Sequence, residues 1–303
     1  MNRRLIISIL CAVICTLSFN LSAQETYAFA ERDTTLHLDI YHAQSPNGYT
    51  VIHIFGGGFI GGYRTNKWDV AYCKQLADSG YNAVAIDYRL GLRGVHNVGV
   101  GNISALENAI YMAVQDCSDA VKYIVENASK LGIDPKKIII EGSSAGAITA
   151  LMTDFARCNK LECASSLPDN WAPAGIVSYS GAIFSRQGKP KWTGAAPTLM
   201  FHGTVDRLVP YKKIQLGKIG FFGSSVIASQ MEKQNFPYQI YRYTDLGHEV
   251  SIGGPMTMDV FNLFVKQYII AGKKQYQDIT IRDEQYPPTS WSRMSVKDLY
   301  KKK

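Results

Sequence analysis

The hydrophobic positions along the chain change period several times. TYAFA (26–30) and TLHLDIY (35–41) alternate apolar and polar side chains, which predicts antiparallel strands at a sheet edge. YTVIHIF (49–55) is more continuously apolar, as expected of a strand covered on both faces, and runs into GGGFIGG. A helix is predicted from about Asn66 to Ser79, stopped by Gly80, and YNAVAIDY (81–88) is the next strand. Ser104-x-x-Glu107 reads as a capping box opening a long helix toward Lys130. Leu106, Ile110, Ala113, Cys117, Ala120, Ile124 and Ala128 keep mostly three- or four-residue spacing along it, and Gly132 and Pro135 end it.

The alternation continues through strand KKIIIE (136–141), a helix after Ser144, strands AGIVSYS (174–180) and PTLMFHG (197–203), and a helix near 224–235. Strand YQIYRY (238–243) and a last helix around 256–270 complete it. Strands separated by helices imply βαβ units in a largely parallel sheet with right-handed crossovers: an α/β fold. There is no internal repeat and no break in composition before about residue 273. The reading is one domain over 24–272, followed by a basic tail, 273–303, that either packs as an appendage or moves freely.

Composition adds an expectation about export. Arg3 and Arg4 precede an apolar run from Leu5 to Phe19, followed by Leu21-Ser22-Ala23, the order of a secretory signal cut after Ala23. The run is short for a spanning helix, and an uncleaved anchor is the alternative. The expected location is therefore the periplasm or the outside of the cell, with no membrane insertion after cleavage. Of the formal charge of +7, the first segment carries +2 and residues 273–303 carry +4 (eight Lys/Arg against four Asp/Glu). That leaves +1 for the body between, so no nucleic-acid footprint is expected. Four cysteines follow the signal; Cys158 and Cys163 flank a short loop and can pair, whereas the spacing of Cys73 and Cys117 decides nothing. With no CxxC pair and no HExxH, no metal is expected.

Four features fall at the carboxyl ends of strands, where ligands meet a parallel sheet. Gly56-Gly57-Gly58 follows Phe55, Ser144 lies in GSSAG (142–146), Asp206 follows PTLMFHG, and His248 follows YQIYRY. GSSAG is either a plain tight turn or a strained elbow that lifts Ser144 out of the sheet. A serine needs a base, and of six histidines His248 is favoured: it follows a strand end and Gly247, after the serine in the chain. His53 reads as a core histidine and His202 as a structural one. Asp206 is the preferred group to orient the imidazole, with Asp245 its competitor. The backbone of Ala145 and of the Gly56–Gly58 loop would supply oxyanion donors. Tyr63, His96 and Trp192 are candidates for lining a pocket, Cys158–Trp171 for a lid, and Asp87-Tyr88-Arg89-Leu90 for bracing loops.

FGGGF, DYRL, GSSAG, HGTVD and LGHE, in that order over roughly residues 35–270, resemble the α/β-hydrolase fold, within it the esterases and lipases with a glycine-triplet oxyanion loop. The resemblance implies a mostly parallel sheet of about eight strands flanked by helices. It also implies carboxylic-ester hydrolysis through an acyl-enzyme, with no cofactor. By matching positions, Ser144 is the nucleophile, His248 the base, Asp206 the orienting acid, and Gly57, Gly58 and Ala145 the oxyanion donors. The chain departs from the pattern at Phe55, where the family usually has histidine. The expected substrate is a short acyl ester, acetyl or feruloyl, free or linked to a polysaccharide. A peptidase of the same fold and a non-catalytic binding module are the alternatives.

Overall fold

The computed structural model describes residues 24–95, 102–282 and 288–299; the export signal expected over 1–23 and the pocket candidate His96 lie outside the described residues. In chain order the elements are β1 (Glu25–Glu31), β2 (Thr35–Tyr41), β3 (Thr50–Ile54), α1 (Lys67–Asp78), β4 (Asn82–Ile86), α2 (Ile103–Glu126) and α3 (Ala128–Leu131). They continue with β5 (Ile138–Ser143), α4 (Ala145–Asn159), β6 (Gly175–Tyr179), β7 (Ala182–Ser185), β8 (Thr198–Gly203), β9 (Lys213–Leu216) and β10 (Ile219–Gly223). The last are α5 (Ser224–Lys233), β11 (Tyr238–Tyr243), α6 (Met258–Phe264), β12 (Tyr276–Ile281) and α7 (Val296–Leu299).

Nine strands form one sheet in the order β1-β2-β4-β3-β5-β6-β8-β11-β12. The pairings β1–β2 and β2–β4 are antiparallel, and the described pairings from β4 to β12 are parallel. The central strands read as mostly apolar runs because both of their faces are covered. Ile52, Ile54, Ile140 and Met200 face one cluster with side chains of α2, α4 and α5. Val51, Ile139, Leu199 and Phe201 face the other with Tyr72 and Leu76 of α1 and Phe261 and Phe264 of α6. Among the described residues no helix is long and apolar enough to cross a membrane.

Several local expectations are corrected. The long helix begins at Ile103, so Ser104 falls inside its first turn, and Asn102 at the cap position makes no side-chain cap bond. Glu107 instead accepts from Arg186 Nε at 2.6 Å, leaving no capping box. Cys73, Cys117, Cys158 and Cys163 are all free. Strands β7, β10 and β9 form a second, antiparallel sheet that the hydrophobic pattern did not reveal, because β9 is exposed along its whole length.

The boundary at residue 272 is also corrected, because β12 lies beyond it and adds a ninth strand to the main sheet. It pairs with β11 in parallel from Tyr238↔Tyr276 to Tyr243↔Ile281. Its alternation of exposed and half-buried positions is that of an edge strand, and Arg242 Nη2 donates to Asp278 Oδ2 at 2.7 Å.

Candidate active site

At the end of β5 the chain reverses sharply into α4. Ser144, between them, has φ 54° and ψ −115°, a conformation that costs an L-residue about 1–3 kcal/mol. The turn is tight enough to require its glycines: a β-carbon on Gly146 would lie 2.0 Å from the Ile54 carbonyl oxygen, and one on Gly142 2.3 Å from the Gly146 carbonyl. GSSAG is therefore an elbow rather than a plain turn, and its two serines differ in use. Ser143 Oγ donates to the Ser251 carbonyl at 2.7 Å, tying the elbow to the segment after β11, whereas Ser144 Oγ lies 2.7 Å from His248 Nε2.

His248 opens a short 3₁₀ turn, His248–Ile252, and is buried. Its Nδ1 lies 2.8 Å from Asp206 Oδ2, in the loop after β8. The other Asp206 oxygen, Oδ1, accepts from the backbone N–H groups of Leu208 and Val209 at 2.9 and 3.0 Å. Burial alone would push the Asp206 carboxyl up. The hydrogen bonds from His202 and His248, with the attraction of both rings, outweigh it and hold the group well below the usual carboxylate range. A carboxylate fixed in this way requires a proton on Nδ1 of His248, which leaves Nε2 as the acceptor facing the serine hydroxyl.

His202 reaches the same carboxylate from behind. Its Nε2 is 3.4 Å from Asp206 Oδ2 and 3.2 Å from the Val209 carbonyl, while Nδ1 is 2.8 Å from Ser224 Oγ. Asp245, the competitor, is exposed at φ 65° and lies 3.6 Å from Arg282 rather than beside the imidazole.

The glycine loop meets the elbow directly, since a β-carbon on Gly56 would lie 3.3 Å from Ser144 Cβ. Gly57 has φ 131°, and a β-carbon there would run into the Gly61 carbonyl at 2.0 Å, so the loop curls back on itself. Gly58 follows at φ 63°, and Ala145 is the first residue of α4, where a backbone N–H has no partner within the helix. Phe55, at the position the family usually gives to histidine, stacks on Tyr88 at 4.4 Å between ring centroids, and the Tyr88 hydroxyl donates to the Phe55 carbonyl at 3.0 Å.

The outlying candidates are not drawn into the site. Tyr63 is exposed, and Trp192 is buried edge-on against Phe155. The lid candidate ends at Trp171, whose Nε1 donates to the Pro135 carbonyl ahead of β5. It therefore lies at the opposite end of the sheet from Ser144. The DYRL segment braces loops as expected: Arg64 Nη1 donates to Asp87 at 2.6 Å, and Arg89 Nη2 lies 2.7 Å from buried Asp116. Among the described residues no group of three or more His, Cys, Asp or Glu side chains could hold a metal.

A serine-bearing elbow on a mostly parallel sheet, facing a histidine and an aspartate from later strand ends, is the arrangement of the α/β-hydrolase fold. The BD-FAE family model matches residues 38–171. A probable isoprenylcysteine alpha-carbonyl methylesterase (ICME) of Oryza sativa subsp. japonica is 30% identical over 149 residues, which cover 48% of this chain and 31% of that protein. The arylesterase of Saccharolobus solfataricus is 32% identical over 139 residues, covering 45% of this chain and 40% of its own. The chain thus spans only about a third of the length of the first curated relatives it matches, 31% and 30%. Among solved structures, the native form of the thermophilic esterase Est2 of Thermogutta terrifontis superposes with a TM-score of 0.60 at 21% identity, covering 80% of this chain and 92% of the other. The chain thus has the α/β-hydrolase fold, and over about half of its length it is similar to esterases.

Proposed function

We propose that this chain is an exported serine hydrolase that cleaves short acyl esters, acetyl or feruloyl, including those carried by carbohydrates. The observation that carries the proposal is the continuous hydrogen-bonded row from Ser144 Oγ through His248 to Asp206 Oδ2. In the first step His248 Nε2 takes the proton of Ser144 as Oγ attacks the ester carbonyl. The oxygen that becomes negative is received by backbone N–H groups of Gly57, Gly58 and Ala145, aided by the positive end of α4. His248 then returns the proton to the leaving alcohol, and the acyl group stays on Ser144. Water, deprotonated by the same imidazole, releases the acid and restores the hydroxyl. Asp206 keeps Nδ1 protonated and stabilises the transient imidazolium. No cofactor enters this sequence.

Support for an ester rather than a peptide comes from the curated relatives, which are named methylesterase and arylesterase. Export rests on the order of basic, apolar and small residues over 1–23. The carbohydrate carrier rests on export and on the habits of the resembled family. The test is turnover of p-nitrophenyl esters from acetate to octanoate, beside acetylated xylan and feruloyl esters, with fluorophosphonate labelling of the wild type and Ser144→Ala. Turnover that peaks at short chains and disappears with the alanine, together with labelling only of the wild type, is the expected outcome. An alanine variant with wild-type turnover overturns the proposal.

A further inference from the structure

A second buried polar cluster lies beneath the glycine loop. His53 of β3 is register partner to Glu141 of β5. His53 Nδ1 is 2.6 Å from Glu141 Oε2, and Nε2 is 2.8 Å from Asp69 Oδ1 on α1. The other Asp69 oxygen accepts from Asn66 Nδ2 at 2.6 Å, and Asn66 caps α1 through the Trp68 N–H. The ring of Tyr72 stands edge-on to His53 at 5.3 Å. His53 and Glu141 are almost completely buried, in strands whose other buried positions are apolar or glycine apart from Thr50.

The placement of these groups is specific. His53 stands three residues before Gly56, Glu141 three before Ser144, and Asp69 is on the first helix after the glycine loop. Both ends of the loop that would hold the oxyanion are thus fastened, through one imidazole, to the strand that carries the nucleophile. An imidazole ring with a carboxylate on each nitrogen satisfies both only when both nitrogens carry hydrogen. Burial alone would push His53 down; the charge of Glu141 and the hydrogen bonds to both carboxylates overturn this and raise it to about 10. Burial pushes Glu141 up, and His53 opposes that shift. Desolvating such a cluster costs several kcal/mol per ion, about what apolar side chains of the same volume would avoid. Packing alone does not account for it.

We propose that His53, bridging Glu141 and Asp69, is a positioning residue that fixes the glycine loop against Ser144 for the reaction proposed above. It touches no reacting atom and acts through the placement of the Gly57 and Gly58 N–H groups. The inference rests on the esterase reading.

Removing His53 itself leaves Glu141 buried and unpaired and endangers the fold, so the test uses Asp69, whose side chain is 15% exposed. Asp69→Ala and Asp69→Asn are made in the full chain and compared with wild type per titrated active site. The readouts are kcat and KM for p-nitrophenyl acetate, and Ki for an aryl trifluoromethyl ketone, which forms a hemiketal oxyanion on Ser144. With Asp69→Ala, kcat is expected to fall about 10- to 100-fold, KM to stay within about threefold, and Ki to rise by the same factor as kcat falls. With Asp69→Asn, whose amide oxygen still accepts from Nε2–H, all three are expected within about threefold of wild type. An active wild type together with an Asp69→Ala variant unchanged in kcat and Ki overturns this proposal alone. A wild type that neither turns over the acetate nor reacts with a fluorophosphonate overturns the esterase reading, and this proposal with it.

Discussion

Ser292 packs directly against Gly247, the residue before His248: a β-carbon on Gly247 would lie 2.5 Å from Ser292 Cα. Glu249 locks the contact by accepting from the Ser292 hydroxyl through one oxygen and from the Gly247 N–H through the other, the latter at 3.0 Å. Three residues on, Ser295 forms a parallel β-bridge with Arg207, next to Asp206. Of the two expectations for residues 273–303, packing or free movement, this part packs, and it braces both loops that carry His248 and Asp206.

Deleting residues 289–303 is therefore expected to lower kcat for p-nitrophenyl acetate about 10- to 100-fold with little change in KM, because misplacement by about 1 Å already costs that much. Gly247→Ala should act in the same direction, and Ser292→Ala, which removes one hydrogen bond, by less than about tenfold. Steady-state kinetics per titrated active site check this; a truncated chain with wild-type kcat would show that the brace is dispensable.

Asp206→Asn is expected to reduce kcat by about 10⁴-fold, the loss that this change causes in well-studied serine hydrolases, because the amide favours the wrong imidazole tautomer. Asp245→Asn, which touches only an exposed ion pair with Arg282, should stay within about twofold of wild type. The reverse ranking in a pH 7 activity assay would transfer the orienting role to Asp245.

The positive φ of Ser144 predicts a stability difference between two variants that lack its hydroxyl. Ser144→Ala keeps the strain and Ser144→Gly relieves it, so the glycine variant should melt higher. At about 2–4 °C per kcal/mol for a chain of this size, a gain of a few degrees is expected in a thermal melt. Equal melting temperatures would mean that the elbow stores no strain.

His53 sets an alkaline limit on stability. Burial, including the edge-on ring of Tyr72, would lower its pKa, but Glu141 and Asp69 outweigh it and raise the value from 6.5 to about 10, so the folded chain holds a proton that the unfolded chain releases earlier. The stabilisation is complete below the unfolded value and is lost as pH rises toward 10. The melting temperature should fall from pH 7 to pH 10, and less steeply in Asp69→Asn. A flat wild-type profile across that range would contradict a charged His53.

The parts of the fold that could be read from the sequence are those where burial acts on many consecutive residues. β3, β5 and β8 are buried almost throughout, and mostly apolar, because helices cover both sides of the sheet. β12 escaped because an edge strand shows half its side chains to water, and the charged neighbours Asp278 and Arg282 hide its alternation. Ser144, His248 and Asp206, which the fold brings within hydrogen-bond reach, could be picked out because each follows a strand end in the order that this architecture uses. Their supports could not. Ser143 with Ser251, His202 with Ser224, and Glu249 with Ser292 are pairs joined only by how distant segments return to one another. One signal was available: counting back three residues from Gly56 and from Ser144 reaches His53 and Glu141, which adjacent parallel strands bring side by side.

Synthesis runs from β1 toward β12, so Ser144, Asp206 and His248 all leave the ribosome before the strand and brace that complete their surroundings. A nascent chain halted near residue 272 would carry Ser144, Asp206 and His248 and still lack the ninth strand and the contact with Gly247. The surroundings of the Ser144–His248–Asp206 row would then be completed late, with the emergence of residues 273–295.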